Sequence, residues 1–225
     1  MQYYKIYQET DQAIIGKYPQ LKELRIKPLD ARIRQLGIIS KWKTDDDVPE
    51  LHQFNLGYRS KLTDSLTSDF TTNQYGLFLS EKAKSVFDQF NSNGKFYPAT
   101  VYQRDVPHPY YFLKYEFGGR SHIDWKKSTF IEYHNSIRDI RLGDEVQVAD
   151  AEDYKVNAQA VREKYSEELW WELFPKTITL TQPFDFTPLL SYFLICNERF
   201  KNAVEAARLT GFIFEAIDLE IEFNE

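Results

Sequence analysis

One cysteine and four histidines are all that this 225-residue chain offers to thiol chemistry or to soft metals. A lone Cys196 excludes an intrachain disulfide and any cysteine-cluster zinc site. His52, His108, His122 and His134 lie too far apart for the i, i+4 pair that holds a metal on one helical face. His122-Ile123-Asp124 would set two ligands on one strand face, with no third to complete them. Long apolar runs are missing too. Leu189 to Cys196, broken by Ser191, is far too short to span a bilayer. Met1-Gln2-Tyr3-Tyr4-Lys5 has neither the basic start nor the apolar stretch of a secretion signal. A reducing, cytoplasmic setting without membrane contact is the expectation.

Chemical signatures are equally sparse. The sequence contains no G-x-S-x-G elbow, no G-x-x-x-x-G-K-[ST] phosphate loop and no G-x-G-x-x-G turn. Gly118-Gly119-Arg120-Ser121 follows a strand without a helix behind it, so it reads as a hairpin turn rather than a phosphate nest. Thr44-Asp45-Asp46-Asp47 lacks the alternating oxygen ligands of a calcium loop and reads as an exposed turn. Cys196 precedes a helix start, which can activate a thiol, yet Phe193-Leu194-Ile195 imply burial and an inert side chain. Carboxylates such as Asp185, Glu198 and Glu215 are plentiful, but the sequence alone does not pair any two as acid and base. No catalytic residue, cofactor or metal is assigned.

Basic charge is the scarcer sign. Lys and Arg total 28 against 34 Asp and Glu, a net charge of −6. Residues 151–225 hold 14 acids against 7 bases, so the excess is C-terminal. Such a surface repels phosphate backbones, disfavours general nucleic-acid binding, and attracts basic protein partners.

Aromatic residues are abundant: 15 Tyr, 17 Phe and 4 Trp. Most suit half-buried strands, and some suit protein interfaces. Tyr3 to Tyr7 alternates as an opening strand. Between residues 10 and 60, Gly16, Pro19, Pro28 and Pro49 break up short apolar pieces such as Leu36 to Ile39. Gln74 to Ser80 is an apolar strand, and Ser80 is placed to cap a helix over 81–91 with Ala83, Val86, Phe87 and Phe90 on one stripe. Asn93-Gly94 ends the helix and 95–102 is a second strand. The design returns 117 residues later. Tyr192 to Cys196 is the strand, Asn197 stands for Ser80, and Phe200, Ala203, Val204 and Ala207 form the stripe. Gly211 stands for Gly94 before Phe212-Ile213-Phe214. Segments 76–102 and 193–219 thus read as an internal repeat.

Tyr110 to Phe117, Ile123 to Phe130, Gln147 to Ala149 and Thr177 to Thr181 read as extended. Val161, Tyr165, Leu169 and Leu173 recur every fourth place and predict a helix over 157–174, stopped by Pro175. With no linker or low-complexity tract, residues 1–225 read as a single α+β domain, with mixed sheets, packed helices and two similar strand–helix–strand lobes.

Trp170-Trp171 is the pair most suggestive of contact. On a helix their rings point about 100° apart, so one narrow stripe does not absorb both. Either both are buried between two layers, or one is exposed beside Glu167, Glu168 and Glu172 and anchors a basic partner.

Five segments carry a family likeness: L-F-L-S-E-K-A-K-S-V-F-D-Q-F (77–90), Y-P-A-T-V (97–101), Y-Y-F-L (110–113), I-D-W-K-K-S-T-F (123–130) and L-T-G-F-I-F (209–214). In this order they resemble a family of bacterial immunity proteins from polymorphic-toxin systems, formerly a domain of unknown function. The likeness runs over roughly residues 75–216 and is loose before them. It implies a cytoplasmic protein that binds and neutralises the toxin domain encoded beside it, and it implies no catalytic residue. An acidic surface would suit a basic toxin that attacks nucleic acid. Two other classes fit the residues alone: a hydrolase or transferase with a carboxylate-lined cleft, and a small-ligand-binding regulatory module.

Overall fold

The computed structural model describes residues 2–25, 51–68, 76–115, 117–136, 139–168, 170–190, 193–217 and 219–224. Leu36 to Ile39 and the Asp45-Asp46-Asp47 turn lie outside these residues. The fold is α+β and mostly sheet. The chain groups into two compact units, Gln2–Gly119 with Phe184–Ala216 and Arg120–Pro183 with Ile217–Glu225. No helix among the described residues is long and apolar enough to cross a membrane.

In the larger unit the strands are β1 (Tyr3–Gln8), β2 (Leu21–Leu24), β3 (Phe54–Leu56), β4 (Ser65–Leu66), β5 (Gly76–Ser80), β6 (Gly94–Gln103) and β7 (Val106–Tyr115). A short helix α1 (Gln12–Ile15) follows β1, and α2 (Glu81–Phe87) follows β5. The later segment of the unit adds β11 (Phe186–Leu189), β12 (Phe193–Asn197), α4 (Glu198–Ala206) and β13 (Phe212–Ala216). One sheet runs β2-β3-β6-β7-β5-β4 and the other β11-β12-β1-β13.

Within these sheets β4-β5-β7-β6 and β11-β12-β1-β13 have the same plan. Every neighbouring pair in both is antiparallel, and one helix links the two strands that flank a middle strand. The sequence registers agree as well. Ser80 Oγ accepts from Ala83 N at 3.1 Å, and Asn197 Oδ1 accepts from Phe200 N at 2.9 Å. Leu77, Leu79, Ala83 and Phe87 and their counterparts Leu194, Cys196, Phe200 and Val204 are packed in one apolar core. Phe87 meets Phe200 edge to face at 4.7 Å. Both strands entering the helices are buried on two faces, which is why they read as continuous apolar runs.

Two carboxylates staple the halves reciprocally. Asp64 accepts from the cap hydroxyl of Ser80 at 2.7 Å and from Thr210 N, beyond α4, at 2.8 Å. Asp185 accepts from the cap amide of Asn197 at 2.7 Å and from Asn91 N, beyond α2, at 2.8 Å. Gly211 sits at φ 92°, and a Cβ there would lie 2.2 Å from Ser65 O, so the turn after α4 requires glycine. Helix α2 is shorter than the 81–91 reading. It ends at Phe87, and the chain continues through the tighter bonds Gln89 N to Val86 O and Phe90 N to Phe87 O.

The smaller unit holds β8 (Thr129–Ser136), β9 (Asp139–Val146), α3 (Ala151–Lys164), β10 (Trp171–Leu180) and β14 (Glu220–Phe223), with sheet order β14-β10-β8-β9. The helix expected over 157–174 is corrected at both ends. It starts at 151 because Asp150 accepts from Glu152 N and Asp153 N at 2.8 and 2.9 Å. It stops at Lys164, and Leu173 belongs to a strand opposite Glu132. Residues four apart share a face in a strand as they do in a helix, so the recurrence misled. Pro175 does not end a helix; it lies at a bulge in β10, where its missing N–H is tolerated. Gly118-Gly119 lies in a 3₁₀ turn, Phe117–His122, and not in a hairpin. Ile123 makes a single bridge to Leu180 before β8 begins at Thr129, and β9 ends before Gln147.

Candidate partner-binding site

The segment after α3 carries the candidate contact residues. Glu168 N bonds back to Tyr165 O at 2.9 Å, closing the turn that leaves the helix. Trp170 then adopts φ 81°, in the left-handed region, and Trp171 opens β10 opposite His134. The two rings therefore part company. Trp171 is only 7 % exposed, whereas Trp170 is 64 % exposed. A bulky residue at positive φ is a genuine backbone outlier, and here it holds a large apolar ring in water.

Trp171 is fixed from several sides. Tyr165 stacks on it at 3.8 Å with 9° between the planes, His134 lies 5.4 Å away, and the Arg141 guanidinium sits 5.5 Å from the ring centre. Its Nε1 donates to Glu168 Oε2 at 3.4 Å, and Arg141 forms an ion pair with the same carboxylate. These bonds, from Arg141 first and Trp171 second, hold the Glu168 carboxyl below its ordinary range. Glu167 is exposed. Glu172 lies on the opposite sheet face from Trp171, half-buried, opposite Tyr133 in the register. Burial pushes its carboxyl up, against an opposing pull from Arg162. Of the five residues named from the sequence, the structure joins Trp171 to Glu168, exposes Trp170 and Glu167 beside them, and turns Glu172 away.

Arg141, Tyr165 and His134 had no sequence signal, because their contacts join β8, β9 and the end of α3. A second cluster was also illegible. Glu132 is 5 % exposed and accepts from Lys164 Nζ at 2.9 Å, from Tyr165 OH at 2.8 Å and from Asp144 N at 3.2 Å. Burial raises its carboxyl, but the bonds from Lys164, Tyr165 and Asp144 outweigh that and lower it overall. A Cβ on Gly143 would lie 2.5 Å from Glu132 Oε2, so glycine lets β9 close over the carboxylate. This is an internally satisfied knot that ties α3 to the sheet.

The remaining candidates are spread through the fold. His52 Nδ1 lies 2.9 Å from Thr100 Oγ1, His134 is buried, and His108 and His122 are half-buried. Asp124, near His122, accepts from Asn224 Nδ2 at 3.1 Å. Cys196 is buried, and burial pushes its thiol well up, away from reactivity. Asp185 is committed to its staple, while Glu198 and Glu215 are exposed on different elements. Among the described residues, no group of three or more His, Cys, Asp or Glu side chains is gathered as a metal site. What the Trp170 segment offers is an exposed indole and, three residues before it, the exposed carboxylate of Glu167, groups suited to recognition. No protein-family model matches the chain, and no curated protein matches it.

Proposed function

We propose that this protein is an immunity protein. It binds a cognate bacterial toxin domain in the cytoplasm and neutralises it by protein–protein contact, with no bond made or broken in its own clefts. The observation that carries the reading is Trp170: a solvent-facing indole at φ 81°, three residues after the exposed Glu167 and one before Trp171, which bonds the Arg141-paired Glu168. Tryptophan is among the residues most enriched at energetic centres of interfaces, and the exposed Glu167 carboxylate, which is not part of the Arg141–Glu168 pair, favours a basic group on the partner. The segments over 77–214 that resemble the immunity family support the same reading.

Co-expression with the product of the adjacent gene tests it. The neighbour should be toxic alone and harmless when this chain is present. Trp170→Ala should weaken the complex by about 2 kcal/mol, roughly thirtyfold. A harmless neighbour, or lethality that persists beside the wild-type chain, overturns the proposal.

A further inference from the structure

In the larger unit the loop after α1 runs beside residues 57–61, and the two are clamped together. Gln20 is fully buried; its Nε2 donates to Lys61 O at 2.6 Å and to Thr63 Oγ1 at 2.9 Å, and its Oε1 accepts from Thr67 N at 2.9 Å. Gly57 N donates to Gln20 O at 2.7 Å, Lys61 N to Ile15 O at 2.8 Å, and Ser60 Oγ to Lys17 O at 3.1 Å. Gly16, at φ 80°, lets the loops touch: a Cβ there would lie 2.1 Å from Arg59 O.

This fixed frame holds apolar and cationic groups out into water. Tyr58 is 75 % exposed, Tyr18 is 56 % exposed, and Ile14, at the end of α1 just before the loop, is exposed too. Lys17, Arg59 and Lys61 are exposed among them, with the Arg59 guanidinium 5.3 Å from the Tyr58 ring centre. Residues 12–20 and 57–63 contain no carboxylate. The flanking Asp11 and Asp64 are already engaged, Asp11 by Ala13 N and Asp64 by Ser80 and Thr210. A cationic, tyrosine-rich knob thus stands on a chain of net charge −6.

We propose that this knob is a docking surface for an acidic polypeptide segment of a partner protein. Carboxylates of the segment meet Lys17 and Arg59, and its apolar side chains pack on Tyr18 and Tyr58. Tyr and Arg are the residues enriched in interfaces, and a loop that is already rigid loses little freedom on binding. An acidic polypeptide is favoured over a nucleic acid because three cations among exposed apolar rings suit a short run of carboxylates with apolar neighbours, whereas a long phosphate backbone would run on across a chain of net charge −6. None of the groups that support this surface belongs to the Trp170 segment or to the proposed toxin contact.

Fluorescence anisotropy of the full chain with a fluorescein-labelled peptide of Asp, Glu and Leu tests the assignment, with a Lys-rich peptide and a single-stranded DNA oligonucleotide alongside. The acidic peptide should bind and weaken as salt is raised. Tyr58→Ala should reduce affinity about tenfold or more, and Lys17→Glu with Arg59→Glu should abolish binding. Far-UV circular dichroism should be unchanged in both variants, since the replaced side chains face solvent, and Trp170→Ala should bind as the wild type does. Absence of acidic-peptide binding, insensitivity to these substitutions, or loss of binding in Trp170→Ala overturns the proposal. So does tighter binding of the oligonucleotide, or a concentration-dependent dimer that the same substitutions dissolve.

Discussion

Adjacent tryptophans in one strand-entry segment should respond to truncation in opposite ways. A fully buried tryptophan removes about 200 Å² from water, worth about 5 kcal/mol by area. Trp171, stacked on Tyr165 and nearly inaccessible, should show most of this, and Trp171→Ala should cost about 3–5 kcal/mol. Only about a third of Trp170 is covered, and the unfolded chain already shields part of that area, so Trp170→Ala should cost about 1 kcal/mol. The backbone then gives a prediction of sign. At φ 81° an L side chain is strained by about 1–2 kcal/mol, while glycine costs about 0.5–1 kcal/mol in added freedom of the unfolded chain. Trp170→Gly should therefore be more stable than Trp170→Ala by about 0.5–1 kcal/mol, the reverse of the usual order. Urea unfolding followed by far-UV circular dichroism measures all three variants. An alanine variant more stable than the glycine variant, or equal losses at 170 and 171, would refute the reasoning.

Other outcomes follow from the larger unit. Asp185 is buried: burial raises its carboxyl, but bonds from Arg199, Asn197 and Asn91 N–H lower it below the ordinary value. A depressed carboxyl contributes stability above its unfolded pKa of about 3.9 and loses it as pH falls through the folded value. Asp185→Asn should therefore destabilise by about 2 kcal/mol at neutral pH, with the gap to wild type closing below about pH 4 in urea titrations. Phe87→Leu and Phe200→Leu, combined in a double-mutant cycle, should show coupling of about 1 kcal/mol, and strict additivity would separate the two helices energetically. Cys196 should resist a thiol-specific reagent in the native protein and react fully in denaturant; fast native labelling would contradict its burial.

What the sequence made legible was local. The strand into α2 and the strand into α4 each end in a capping side chain, and an unbroken apolar run followed by Ser80 or Asn197 is a short-range signal. The start of α3 was there to be read as well: Asp150 caps, and three residues on Asp153 reaches back to accept from Ala149 N, one residue before the cap. Its end was not legible, because a four-residue recurrence is common to both kinds of element and only pairing with β8 decides between them. The Trp170 site was half legible: the tandem rings signalled a surface problem, but Arg141 reaches Glu168 from another strand. Asp64 and Asp185 as staples, and the bond from Ser60 to Lys17 that clamps the two loops, join residues dozens to more than a hundred positions apart, which periodicity does not register.

The middle position of the second sheet is taken by β1, whose Tyr4 faces Cys196 on one side and Ala216 on the other. During translation at about 5–20 residues per second, β1 leaves the ribosome some 10–40 s before those neighbours are made. Through that interval both of its hydrogen-bonding edges stand open, with Tyr3 and Ile6, later buried, facing solvent. A nascent chain of this kind has a built-in window for chaperone capture, and one that closes only when the strand partners at 194–197 and 212–216 have been made.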